Sequence, residues 1–278
     1  MKTVKQIVNT SFLNFRRWRR NPRIIVLAIL SFIWIHRLMS PIKDFARLVQ
    51  VNVSAWGFPF LTADWYPHMV FLLEAVLLFS DAPFIHHNTT YELIRCGKKR
   101  WMTAHIMYIL LSSLIFVLYL VISSIACVFP NVSFQHEWGR VYLTLSQTNA
   151  ASYSIFPVSY GIQQEFSATT AMVFSSLLLW LEFSLIGETM FFLSLIISKR
   201  LGTFVGIVLS FFPALSSIVG KPAIYYFLPT TWAGLNNIQV SDSSLQYPSL
   251  SFALSILVLL DTIIGLSIIY KKKTRINL

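Results

Sequence analysis

Cysteine is nearly absent. The two in 278 residues, Cys96 and Cys127, form no disulfide framework and show no metal-ligand spacing, so they leave the redox compartment unread. Charge is scarce as well: 12% of residues are Asp, Glu, Lys or Arg, against roughly 25% in an ordinary soluble domain. A soluble globular class is thereby excluded. The G-x-S-x-G elbow of hydrolases is missing. So is the phosphate-cradling G-x-x-x-x-G-K-[ST], since Lys98 and Lys221 each follow a lone glycine, and no ATP hydrolysis is expected on this chain. His86-His87 with Glu92 matches neither H-E-x-x-H nor another zinc spacing and reads as a surface pair. No catalytic, cofactor-binding or metal-binding residue is therefore assigned. No repeat of the lengths that build solenoids is visible. A cleavable signal peptide is also not expected, because the first apolar run starts only at Ile24 and no small-residue cleavage motif follows it.

What is present is apolar. Hydrophobic residues make up 55% of the chain and the mean hydropathy is +0.64, values that belong in a bilayer. The net charge of +11 raises nucleic acid as a partner, but the basic residues fall where apolar runs end, as topology signals do. Nucleic acid is not an expected partner.

In chain order, residues 1–23 predict an amphipathic helix in the interface plane. Val4, Ile7, Val8, Phe12, Phe15 and Trp18 recur at helical spacing opposite Lys5, Gln6, Asn9, Arg16, Arg17 and Arg20. Asn21-Pro22 turns the chain inward. Six spans are expected over about 24–40, 66–85, 106–129, 168–198, 201–220 and 250–270. The first ends in the polar His36 and Arg37, which snorkel or line a cavity. The fourth is longer than the ~20 residues a crossing needs, with Gly187 as a flexion point. The fifth holds Pro213. Between spans, 41–65 and the adjoining Tyr66 carry an aromatic cluster of Trp56, Phe58, Phe60, Trp65 and Tyr66, and 130–167 is polar and aromatic. Residues 221–249 open with an apolar half that dips back as a short broken helix, because Pro222 and Pro229 forbid a continuous one.

Orientation follows from the cations. Placing the N-terminal segment, the 86–102 loop, the 199–200 turn and the basic tail 271–278 on one side collects all of the 22 Lys and Arg except Arg37, Lys43, Arg47, Arg140 and Lys221. Both termini are expected in the cytoplasm, with 130–167 and 221–249 outside. The sequons at Asn88 and Asn131 add nothing, since the first falls on the cytoplasmic side.

Five acidic residues, Glu74, Asp81, Glu182, Glu188 and Asp261, fall inside the expected spans, where an ionisable group costs several kcal/mol and marks a site by default. Glu74 and Asp81 are two helical turns apart, which sets both on nearly one face. No Lys or Arg is expected at their depth. The acids are either protonated or bonded to Ser80, Ser184, Thr189 and Thr262, or serve as a proton relay, line a polar path, or pair with a cation of an adjoining subunit.

The most particular stretch is FSDAPFIHHNTTYELIRCGKKRW, Phe79 to Trp101. Thr89 and Glu92 have the spacing of a capping box, and Gly97 is a stop signal. Between them a two-turn helix, Thr90 to Cys96, exposes Tyr91, Leu93 and Ile94, an apolar surface too small to fold alone and in need of a docking partner. Lys98, Lys99, Arg100 and Trp101 then mark the interface.

On these residues the chain resembles the membrane subunits of ABC-2 type (type V) exporters, over its whole length though with loose motifs. The resemblance implies an all-α polytopic membrane protein of six transmembrane helices. It also implies an N-terminal in-plane amphipathic helix (Thr3–Arg20), a short cytoplasmic coupling helix between spans 2 and 3 (Thr90–Cys96), and a re-entrant segment before span 6 (Ala223–Trp232). The implied role is a permease subunit in the cell membrane. ATP and Mg would be held by a separate nucleotide-binding ATPase subunit, and a second permease subunit, identical or paralogous, would complete the path. The implied coupling residues are Thr89, Tyr91, Glu92, Leu93, Ile94 and Gly97. A self-sufficient secondary transporter or channel is the alternative reading, and an integral membrane enzyme a weaker one; paired broken helices in two related halves would mark the former.

Overall fold

The computed structural model describes residues 2–18, 21–85, 89–239 and 247–270. The basic tail, the His86-His87 pair and the polar stretch 240–246 lie outside the described residues. The architecture is that of an all-α membrane protein. Among the described residues, five helices are long and apolar enough to cross a bilayer, Pro22–Leu48, Lys98–Val128, Ala168–Ile196, Lys199–Val219 and Leu250–Tyr270. Trp65–Phe79 is apolar but has only 15 residues.

The chain opens with α1 (Lys2–Trp18) and turns at Asn21 into α2 (Pro22–Leu48). Pro22 suits the first helical turn, whose N–H has no partner anyway. The first span was expected to stop near Ser40, yet α2 runs on through Pro41. Its buried stripe of Leu27, Ser31, Ile35, Leu38, Met39, Ile42, Phe45 and Ala46 keeps helical spacing across the proline. Packing on both sides of Pro41 outweighs the one hydrogen bond lost there. His36 and Arg37 remain exposed on its outer face.

A two-residue strand β1 (Val53–Ser54) pairs in parallel with β2 (Val132–Ser133). Between β1 and the second long helix come α3 (Phe58–Ala63), α4 (Trp65–Phe79) and α5 (Thr89–Cys96). The second long helix, α6 (Lys98–Val128), begins two turns before the span expected from Ile106. The 130–167 segment is a folded layer containing β2, α7 (Gly139–Gln147) and α8 (Tyr160–Glu165). Phe60 of α3 meets the rings of Trp138 and Tyr142 at 4.8 and 5.1 Å. The aromatic cluster of 41–65 is thus split: Phe58 and Phe60 are core, while Trp65 and Tyr66 stay exposed.

α9 (Ala168–Ile196) is the central helix, buried along most of its length and packed on α3, α4, α6, α10 (Lys199–Ser210) and α12 (Leu250–Tyr270). Between helices in lipid, close approach rather than hydrophobic transfer supplies the attraction. Gly187 shows this directly: a Cβ there would meet Ile109 at 2.7 Å and Phe79 at 2.9 Å. The expected flexion point is therefore a crossing point in an unbroken helix. The fifth span is interrupted at Phe211, and α11 (Phe212–Val219) restarts with Pro213 in its first turn.

The apolar half of 221–249 does return into the protein, as three 3-10 turns, Pro222–Tyr226, Pro229–Thr231 and Leu235–Asn237. Thr230, Thr231, Trp232 and Ala233 are fully enclosed. Thr230 Oγ1 donates to Leu209 O at 2.6 Å and Trp232 Nε1 to Tyr225 O at 2.7 Å, so the polar side chains of this buried turn are satisfied.

Candidate functional site

α5 (Thr89–Cys96) carries the stretch that the sequence singled out. Gly97 ends it with φ +79, its N–H reaching Leu93 O at 2.8 Å. Its ψ of 152 makes it extended rather than the left-handed helical residue expected from the sequence, but positive φ still calls for glycine. Thr89 is the first helical residue rather than the cap, and the position before it lies outside the described residues. α5 leans inward on Leu93, which packs against the core. Outward it presents Tyr91 and Ile94, 76% and 78% exposed. Of the three apolar residues expected to face outward, Tyr91 and Ile94 do and Leu93 does not.

α1 lies against α6. Trp18 Nε1 donates to Tyr108 Oη at 2.8 Å, Phe15 packs edge-on to Tyr108, and Arg100 Nη1 donates to Gln6 Oε1 at 3.0 Å. The face turned inward is Thr10, Ser11 and Asn14, small polar residues that allow close approach. The apolar stripe read from the sequence is consequently divided, with Phe15 and Trp18 packed and Val4 and Phe12 exposed. Arg17 Nη2 reaches Glu92 Oε1 of α5 at 3.4 Å. Between the two helices lies an open cleft of about 680 Å³, bordered by Phe12, Leu13 and Arg16 on one side and Tyr91, Glu92 and Arg95 on the other. Glu92 therefore faces Arg17; His86 and His87 lie outside the described residues.

The intramembrane acids divide into three settings. α4 ends at Phe79, so Asp81 falls in the turn after it and shares no helical face with Glu74. Asp81 instead accepts from Arg23 at the start of α2, Nη1 to Oδ1 at 2.8 Å and Nη2 to Oδ2, with Nη1 also donating to Ser80 Oγ. The expectation that no Arg could reach it is overturned, because the α1–α2 elbow brings Arg23 to the same level. Glu182 is also paired. Its Oε2 is 2.7 Å from His68 Nε2 of α4 and its Oε1 accepts the Ala233 N–H at 2.7 Å, with both side chains buried. Neither Ser184 nor Ser80 serves as the bonded neighbour of an intramembrane acid in the way expected, since Ser184 Oγ donates to Trp180 O and Ser80 Oγ to Leu77 O.

Glu74, Glu188 and Asp261 are buried inside the protein and each has a carboxyl oxygen without a hydrogen-bond partner among the described residues. Glu188 lies against Gly265, one turn beyond Asp261 on α12. Sequence reasoning missed His68. Its one signal is that it begins the buried stripe His68, Phe71, Leu72, Ala75 and Phe79, a polar member of an otherwise apolar face. Arg23 was missed because nothing in a separation of 58 residues indicates contact.

Compared with family models, curated proteins and solved structures, the chain matches none.

Proposed function

We propose that this chain is the membrane permease subunit of an ATP-driven exporter, with six spans, both termini cytoplasmic and ATP hydrolysed by a separate nucleotide-binding subunit. In this reading α4 is the second of the six spans, short as a helix and completed by the Ser80–Ile85 turn. No cofactor or metal is assigned to this chain, and a second permease subunit completes the path.

The observation that supports the reading best is α5: an eight-residue helix, backed by α1 and α6, whose Tyr91 and Ile94 are left almost fully exposed. Helices this short do not persist alone, and apolar side chains held outward on a braced helix are what a docking groove on another protein receives. Arg16 and Arg95 beside them favour an acidic rim on that partner. Motion of the partner would reach α1 and α6 together, because Arg17 and Trp18 connect the three helices.

The test is Ile94→Asp, alone and with Tyr91→Asp. Expected is normal membrane insertion and melting with loss of ATPase co-purification and transport. Leu93→Asp is unsuitable because Leu93 packs inward and the change would disturb the fold itself. Transport by Ile94→Asp at the wild-type rate would remove α5 as a coupling element and with it the main support for the reading.

A second reading, a self-sufficient ion-coupled carrier, is favoured by one feature, the buried Glu188 and Asp261 carboxyls at the α9–α12 contact, which have no cationic partner among the described residues. Transport by the purified chain in vesicles without any ATPase, driven by an ion gradient, would select it.

A further inference from the structure

The fifth span is interrupted at Phe211, two residues before Pro213. Proline has no N–H, so Pro213 cannot donate to the carbonyl it would meet one turn back in a continuous helix, that of Leu209. Inside a membrane a backbone carbonyl that lacks a donor is costly. A donor comes instead from 21 residues further along the chain. Thr230, fully enclosed in the 229–235 turn, donates from Oγ1 to Leu209 O at 2.6 Å. The buried turn therefore fills a hydrogen bond missing from a helix to which it does not belong.

The two halves of that span are held differently. α10 is fixed by close approach to α9: a Cβ at Gly202 would meet Met190 O at 2.7 Å, and one at Gly206 would meet Met190 Sδ at 2.8 Å. α11 packs on α4 and on the re-entrant turns, with Pro213 and Ser216 buried and Leu215 and Ile218 exposed. The turn is itself pinned on two other sides. Glu182 Oε1 of α9 accepts the Ala233 N–H at 2.7 Å, and a Cβ at Gly234 would meet Thr62 O of α3 at 2.9 Å. Thr230 thus joins a firmly held turn to the one place where the fifth span lacks its own continuous hydrogen bonding.

We propose that Thr230 is a latch on this break: with its bond to Leu209 O made, α10 and α11 keep one angle, and with the bond released α11 swings about residues 211–213 away from the turn. The device does not rest on the exporter reading. It follows from the N–H that one residue lacks and the hydroxyl that stands in for it, and it assigns the buried turn a conformational role.

The test reads a single cysteine placed at the buried Ser216 of α11 in the purified full-length protein lacking Cys96 and Cys127, through its rate of labelling by a methanethiosulfonate reagent. Thr230→Val keeps the side-chain shape but removes the donor, stranding Leu209 O whenever α11 is closed, and should speed labelling about tenfold over this parent. Thr230→Ser retains the hydroxyl and should label within about twofold of the parent. Pro213→Ala supplies the missing N–H and should slow labelling severalfold. Adding Thr230→Val to Pro213→Ala should then change the rate by less than about twofold, because the helix no longer needs the outside donor. Equal acceleration by Thr230→Val in both backgrounds would show that the hydroxyl serves only the turn and would overturn the proposal. A parental rate for Thr230→Val, or Thr230→Ser labelling as fast as the valine variant, overturns it too. If Thr230→Val alone does not fold, the Pro213→Ala rate is read by itself, and a rate equal to the parent's there rejects the latch.

Discussion

His68 and Glu182 lie 2.7 Å apart with exposures of 1% and 0%, and the second Glu182 oxygen holds the buried turn at Ala233. The pair therefore ties α4, α9 and the 229–235 turn together at one point. Removing one partner from a buried pair strands the other in a medium that solvates it poorly, a loss of about 3–5 kcal/mol. His68→Leu is expected to show a loss of that size in denaturation of the purified protein. Glu182→Gln, which keeps an acceptor for the Ala233 N–H, is expected to lose less. An unchanged melting point for His68→Leu would show that the carboxyl finds another partner and that this pair does not hold the turn.

Among the elements, α9 carries the packing, and Gly187 is a point of close approach on it. With Ile109 and Phe79 already inside contact distance of an added Cβ, Gly187→Ala must push α6 or α4 away. Overpacking of a filled core costs about 1–3 kcal/mol, so the variant is expected to melt lower. A hinge would behave differently: alanine would leave stability intact and slow transport only, and that pattern would restore the flexion reading. α5 shows the opposite economy, since it has little packing of its own and depends on Leu93, Gly97 and the neighbouring α1 for its position.

For the whole molecule the cation distribution fixes the orientation to be tested. In a background lacking Cys96 and Cys127, a single cysteine at the exposed Ser152 in the 130–167 layer should react with an impermeant maleimide in intact cells. One at the exposed Thr90 of α5 should not until the membrane is opened. Labelling of Thr90 in sealed cells would invert the orientation and separate α5 from any cytoplasmic ATPase.

The apolar runs, the two-turn helix ending at Gly97 and the broken segment around Pro222 and Pro229 were all legible in the sequence, because hydropathy, glycine and proline act through the chain's local chemistry. The ends of α2 and α6 were not, since continued packing beyond Ser40 and before Ile106 prolonged helices that local signals would have stopped. The partners of the buried acids belong wholly to the tertiary structure. Asp81 reads as an intramembrane charge until the elbow of α2 brings Arg23 against it, and Glu182 until α4 delivers His68 from 114 residues away. Sequence by itself determined which segments prefer lipid and where glycine and proline interrupt them. Only the fold decided which polar groups within them are neutralised and which, like Asn14, Glu188 and Asp261, are left with an unanswered bond, because that depends on distances between helices that no spacing along the chain encodes.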